Sequence, residues 1–383
     1  MPTEPQDFSA LRKLAGSRDA LRIDRQANQL TDPVERLLYL RQATTAAGFG
    51  HTRPRWRPAA AFLLLAAVVS MRSDANVHRQ TDLRPAASVR IGHFAIPNVW
   101  IVEENRDYET YSNGLRIETK LAVSNQPRSY PLVARDNTGA DGPLRSQPAG
   151  IVFHTTESQQ APFEAGQKHH LQHIGKELLL LVRGKRAYHF VIDRFGTVHR
   201  IVVESDGANH AGNSVWADAR WLYLDLNASF LGVAFEASMQ TGQPPLTEAQ
   251  IHAARVLTEM LRSKYNLAAE NCVTHAQVSV NPDNMHIGWH ADWGKDFPFR
   301  DIGLPENYEQ PLPSVYLFGF EHDPVYRAAT GPALWRGLAS AEELVARAAD
   351  QHLMPLAEYR AMLRKRYRDQ AAALKQRNSD DEN

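Results

Sequence analysis

A single cysteine, Cys272, stands among 383 residues, so no internal disulfide can staple this chain and its stability has to come from a packed core. Neither sign of charge is in excess. Lys plus Arg and Asp plus Glu are both 43, which removes the electrostatic basis for holding a polyanion, and nucleic acid is not an expected partner. A long apolar run is also lacking: PAAAFLLLAAVVSM (58–71) falls short of the roughly 20 residues a helix needs to cross a bilayer. Its flank argues in the other direction. Three arginines in HTRPRWR (51–57) precede it, the arrangement that keeps the preceding chain cytoplasmic and sends the following chain across. We therefore expect a short membrane anchor at 58–71 with residues 80–383 outside, in the periplasm or cell envelope; the competing reading is a buried helix of a cytoplasmic protein. A cleaved signal peptide is disfavoured, because no clean small-x-small site follows the run.

What is present organises into five stretches. Residues 1–57 read as a polar helical, cytosolic appendage, with Val34, Leu37, Leu38 and Leu40 near one face of DPVERLLYLRQA. After 58–71, residues 72–147 read as a linker and strand-rich extension, ending in the Gly-, Asp- and Pro-rich DNTGADGPLRSQPAG (136–150). Residues 148–305 alternate strand-like and helix-like segments: GIVFH, KHHLQHIGKELLLLV, AYHFVIDRFGTVHRIV and FLGVAFEAS. A further helix is opened by Thr247 with Gln250 three places on, a capping box, and ends near Asn266. Residues 306–383 form a helical C-terminal extension. The fold class expected is α/β, a mixed central β-sheet flanked by helices, with helical extensions at both ends.

Sixteen histidines are too many to be informative singly. Three stretches stand out. GIVFHTTES ends an apolar strand on His154, CVTHAQVSV repeats apolar, hydroxyl, histidine at His275, and GWHADWGKDF compresses an imidazole, carboxylates and a glycine turn into a few residues. Two imidazoles and one carboxylate, with a fourth position for water, are the ligand set of a catalytic zinc.

Residues 150–300 resemble the zinc-dependent N-acetylmuramoyl-L-alanine amidases, the family of phage lysozyme-type amidases and peptidoglycan recognition proteins. The resemblance rests on HTTES, YHFVIDRFGTV, NHAGNS, FLGVAFE and VTHAQV in the family's order. It implies an amidase/recognition-protein fold, Zn²⁺ as cofactor with His154 and His275 as ligands, Tyr188 as the catalytic tyrosine and His210 as a substrate contact. It also implies a substrate: the amide joining N-acetylmuramic acid to L-alanine, in peptidoglycan or muropeptides. The third ligand departs from the family pattern. Reading HADWGKDF in place of the usual lysine-containing motif puts Asp292 on the ligand position and His290 where a lysine steadies the oxyanion. Lys295 with Asp296, and His286, are competitors. The glutamate that some relatives use as a base is replaced by Ala234; Glu236 lies two residues further on the same strand face. Trp216, Trp221, Trp289 and Trp293 are candidate platforms for a sugar or stem peptide, with Trp293 the preferred one. The competing function is a non-catalytic peptidoglycan-binding module on the same fold.

Overall fold

The computed structural model describes residues 98–135, 142–240 and 242–380. The chain divides into two units, Met1–Ala87 and Ser88–Asn383, and the described residues belong to the second. The helix expected within 1–57 and the apolar run at 58–71 lie outside them. Among the described residues no helix is long and apolar enough to cross a membrane.

The centre is a mixed sheet. Its strands are β1 (Ile101–Glu104), β2 (Tyr108–Tyr111), β3 (Arg116–Glu118), β4 (Gly150–Thr155), β5 (Phe190–Ile192), β6 (Val198–Arg200), β7 (Phe230–Phe235) and β8 (Cys272–Thr274). Their spatial order is β1-β2-β3-β6-β5-β7-β4-β8. β5, β7, β4 and β8 run parallel, with His154 of β4 opposite Ala234 of β7, while β5–β6 and the β1–β2–β3 meander are antiparallel.

β4 and β7 are buried on both faces, and this is why they read as continuous apolar runs instead of alternating ones. Ile151, Phe153, Leu231, Val233 and Phe235 enter one core, while Val152, Phe230 and Ala234 face the other way. Each such fully buried side chain is worth about 1.5–3 kcal/mol relative to exposure, so these strands make a rigid base for His154.

Helix α1 (Lys168–Lys185) buries Leu171, Gly175, Leu178, Leu179 and Val182, one stripe at helical spacing, on the Ala234 face. Helix α2 (Glu248–Tyr265) buries Ala254, Leu257 and Leu261 among others on the Phe153 face. Its capping box is formed: the Thr247 side chain accepts from the Gln250 backbone N–H, and Gln250 Oε1 accepts from the Thr247 N–H. The helix stops at Asn266, whose left-handed φ of 54° caps it. A short helix α3 (His275–Val278) follows β8 directly. The C-terminal helices are α4 (Pro313–Phe318), α5 (Pro324–Ala329), α6 (Pro332–Gln351) and α7 (Leu356–Asp380). They bury Val315, Tyr326, Leu334, Val345 and Leu363 in the same core as α2 and the sheet.

Candidate metal centre

His154 is the fifth of six residues in β4, on the strand face opposite Phe153, and is 1% exposed. His275 opens α3 at the end of the neighbouring strand β8, where the side chains of Thr274 and Gln277 form a second capping box that orders this turn. Adjacent parallel strands thus bring two distant histidines together, their ring centroids 4.4 Å apart. Asp292 arrives from a loop. Its Oδ1 lies 2.8 Å from His275 Nδ1 and its Oδ2 3.3 Å from His154 Nδ1, so one carboxylate spans both imidazoles. Among the described residues, His154, His275 and Asp292 are metal-capable side chains whose ligand atoms all lie within 4.8 Å of one another.

The electrostatics suit a cation. Burial, helped by the neighbouring His275, pulls His154 down to about 4, which keeps it neutral at neutral pH. Burial acts to raise Asp292, but the adjacent His275 and His154 outweigh it and hold the carboxyl well below its usual range. A neutral imidazole and an ionised carboxylate are the forms that ligate zinc, and the donor set fits that ion.

A tautomer chain runs behind His154. His210 Nε2 faces the Phe230 carbonyl at 3.3 Å, which makes it the N–H side; His210 Nδ1 then accepts from His154 Nε2–H at 3.1 Å. His154 is left with its Nδ1 lone pair turned toward Asp292. The close seat of His210 depends on Gly232, where a Cβ would come within 2.6 Å of the His210 ring. Both His210 nitrogens face protein partners, His154 and the Phe230 carbonyl.

Tyr188 stands two residues before the start of β5 with a left-handed φ of 61°, a conformation costly for a non-glycine residue. Its ring lies 5.1 Å from that of His154. Burial, with the charges of Asp292 and Glu157, raises the phenol well above its ordinary value, so it remains a donor.

His290 stacks on His275 with ring centroids 4.9 Å apart and an interplanar angle of 20°. Its side chain is exposed, and the enclosing protein with the adjacent His275 lowers its pKa. Stacked there, it offers a ring nitrogen beside the cluster.

Other expected residues fall elsewhere. Trp293 is 5% exposed, its indole packed against Phe235 and Phe297, so it is a core residue and not a substrate platform. Trp216 is buried with its indole N–H donating to Asn271. The indole left open beside the cluster is Trp289, 65% exposed and next to His290. Lys295 and Asp296 are exposed and, like the half-buried His286, outside the cluster. Glu236 accepts the Arg194 backbone N–H at 3.1 Å beneath Gly175 of α1, and burial raises it to about 7.

Glu157 was not anticipated. Held at a left-handed φ of 46°, its carboxylate accepts from the Thr155 hydroxyl, the Ser238 hydroxyl and the Met239 N–H, which ties the end of β4 to the end of β7 beside the cluster. Only the small hydroxyl residues of HTTES hinted at this turn.

Residues 144–295 match the family model described as N-acetylmuramoyl-L-alanine amidase. Similar solved structures include the N-acetylmuramoyl-L-alanine amidase LysC from Clostridium intestinale URNW, at 22% identity over 47% of this chain and 93% of that chain, TM-score 0.27. Another is the N-acetylmuramyl-L-alanine amidase AmiD from E. coli, at 18% identity over 55% of this chain and 96% of that chain, TM-score 0.34. A third is the Drosophila peptidoglycan recognition protein SD, at 17% identity over 41% of this chain and 84% of that chain, TM-score 0.25. No curated protein matches this chain.

Proposed function

With residues 144–295 belonging to the N-acetylmuramoyl-L-alanine amidase family, we propose that this protein hydrolyses the amide between N-acetylmuramic acid and L-alanine in peptidoglycan or muropeptides. The observation that carries the reading is the complete donor set: two imidazoles and one carboxylate within 4.8 Å. A binding module on the same fold has no need of a third ligand, and the intact Asp292 favours the enzyme. Bound to His154, His275 and Asp292, zinc would polarise the scissile carbonyl and make water a usable nucleophile near neutral pH.

The chain's own groups complete the chemistry. Tyr188, still protonated, offers its hydroxyl as a hydrogen-bond donor to the carbonyl oxygen as negative charge develops there; that proton can pass to the leaving amine, and the phenolate is reprotonated by the proton the attacking water gives up. His290 adds a ring nitrogen on the other side of His275. His210 holds His154 in the tautomer that turns Nδ1 to the metal. Replacing His210 with alanine is expected to weaken zinc binding about 10–100-fold, read by chelator competition, the usual scale for losing such an orienting partner; unchanged affinity would remove His210 from this role.

Trp289 provides the exposed apolar face for a sugar ring or stem peptide. Trp289→Ala is expected to raise KM by about tenfold at nearly constant kcat, the signature of lost uniform binding; a selective fall in kcat would contradict that assignment. A substrate in the wall implies that this domain works in the cell envelope.

The reading is tested by incubating zinc-loaded protein with purified muropeptides and following release of free stem peptide by mass spectrometry. Intact muropeptides, with zinc bound, would leave the binding-module reading in its place.

A further inference from the structure

The spacing between His275 and Asp292 is filled by a hairpin of strands β9 (Val280–Asn281) and β10 (His286–Ile287). The hairpin and the ligand loop after it are contacted by residues between Tyr308 and Gly331, which lie beyond the matched residues 144–295.

Tyr326 of α5, 3% exposed, is the centre of this contact. Its ring packs so closely under Gly288 that a Cβ there would lie 1.9 Å from Tyr326 Cδ2. Gly288 itself has a φ of +79°, so the loop needs glycine both for its conformation and for its seat on the ring. The Tyr326 hydroxyl donates to the Ala276 carbonyl at 2.8 Å, and the Ala276 N–H donates to the Asp292 carbonyl at 3.1 Å. One side chain therefore touches the segment between two proposed ligands at Ala276, next to His275, and at Gly288, four residues before Asp292.

Around it, the C-terminal segment binds the loop's backbone. Ile287 N–H donates to the Glu321 carbonyl at 2.8 Å and Glu321 N–H to the Met285 carbonyl at 2.9 Å. The Tyr308 hydroxyl donates to the Trp293 carbonyl at 2.7 Å and accepts from the Phe297 N–H at 3.2 Å. Gly331 N–H donates to the Gly294 carbonyl at 3.0 Å. The loop bearing Asp292 has little regular structure of its own, so its path is that of the surface it lies on.

We propose that Tyr326 is a positioning residue of the metal centre: with Tyr308 it clamps the Asp292 loop in the ligating geometry, which makes the C-terminal extension an integral part of the site. The inference rests on the metal-site reading given above. Ligand loops are as good as the partners that orient them, and loss of such partners costs about 10–100-fold in metal affinity.

The test uses the full-length protein and two measurements, zinc affinity by chelator competition and the thermal midpoint of the metal-free form. Tyr326→Ala is expected to lower zinc affinity about 10–100-fold. Tyr326→Phe, which keeps the ring under Gly288, is expected to hold affinity within about threefold of the natural chain, and the Tyr326→Ala loss is expected with the thermal midpoint of the metal-free form nearly unchanged; an affinity loss that only accompanies a lowered midpoint overturns the clamp. Should Tyr326→Ala fail to fold, Tyr308→Phe decides: it deletes the two loop hydrogen bonds, keeps the ring, and is expected to lower affinity about tenfold. Natural-level zinc affinity in the folded variants overturns the clamp and leaves the amidase reading standing. Reduced affinity in the variants, together with a zinc-loaded natural chain that cleaves no muropeptide, supports the clamp and overturns the amidase reading.

Discussion

Replacing Asp292 with alanine is expected to strip zinc from the purified protein and to lower muropeptide hydrolysis about a thousandfold or more. Asp292 is the one carboxylate of the cluster and touches both imidazoles, at 2.8 and 3.3 Å. Without it a divalent cation meets neutral nitrogens only, in a pocket where His154 is 1% exposed and water cannot easily replace the lost ligand. Losing Lewis-acid stabilisation worth several kcal/mol at about 1.36 kcal/mol per tenfold in rate gives that thousandfold. Asp292→Asn separates charge from shape: it keeps the volume and the loop contacts and should still lose most of the metal. Elemental analysis of the two variants beside the natural chain, followed by a timed muropeptide digest, makes the check. Full zinc content in Asp292→Ala would return the third-ligand position to Asp296 or His286, neither of which lies in the cluster.

Tyr188→Phe carries the second large effect, a fall in kcat of about 10²–10³ with KM and zinc content nearly unchanged. The ring contact with His154 at 5.1 Å survives the substitution, so folding and metal binding should survive with it. What disappears is a hydroxyl that burial and nearby carboxylates keep protonated. The backbone supports a role in the reaction. A left-handed φ of 61° at a tyrosine costs of order 1–3 kcal/mol, and such strain persists where the surrounding structure requires the side chain at that spot. Initial rates across substrate concentration separate the two parameters; a kcat within about twofold of the natural chain would take Tyr188 out of the chemistry.

The contrast between Trp293 and Trp289 shows where reading the chain stops. Both stand in the same short stretch, and residue type alone cannot say which indole turns inward. The answer depends on Phe235 and Phe297, which come from a strand and a loop far apart in sequence and close around Trp293. His290 makes the same point in electrostatic terms. As a free imidazole it would titrate near neutral pH, but the enclosing protein and the adjacent His275 lower its pKa, and that neighbour stands in a separate strand-end motif until the chain folds.

By itself the sequence determined what is local. The apolar runs of β4 and β7, the Thr247 capping box with its Asn266 stop, the α/β class, and His154 and His275 at their strand ends all follow from periodicity and short motifs, because side-chain direction repeats over two residues in a strand and 3.6 in a helix. The tertiary structure alone decided how Asp292 reaches two imidazoles, how His210 is seated against His154, and that residues beyond the matched segment contact the ligand loop. Those arrangements are made by parallel strand pairing and by side chains that meet only once the core has closed, and neither leaves a periodic trace along the chain.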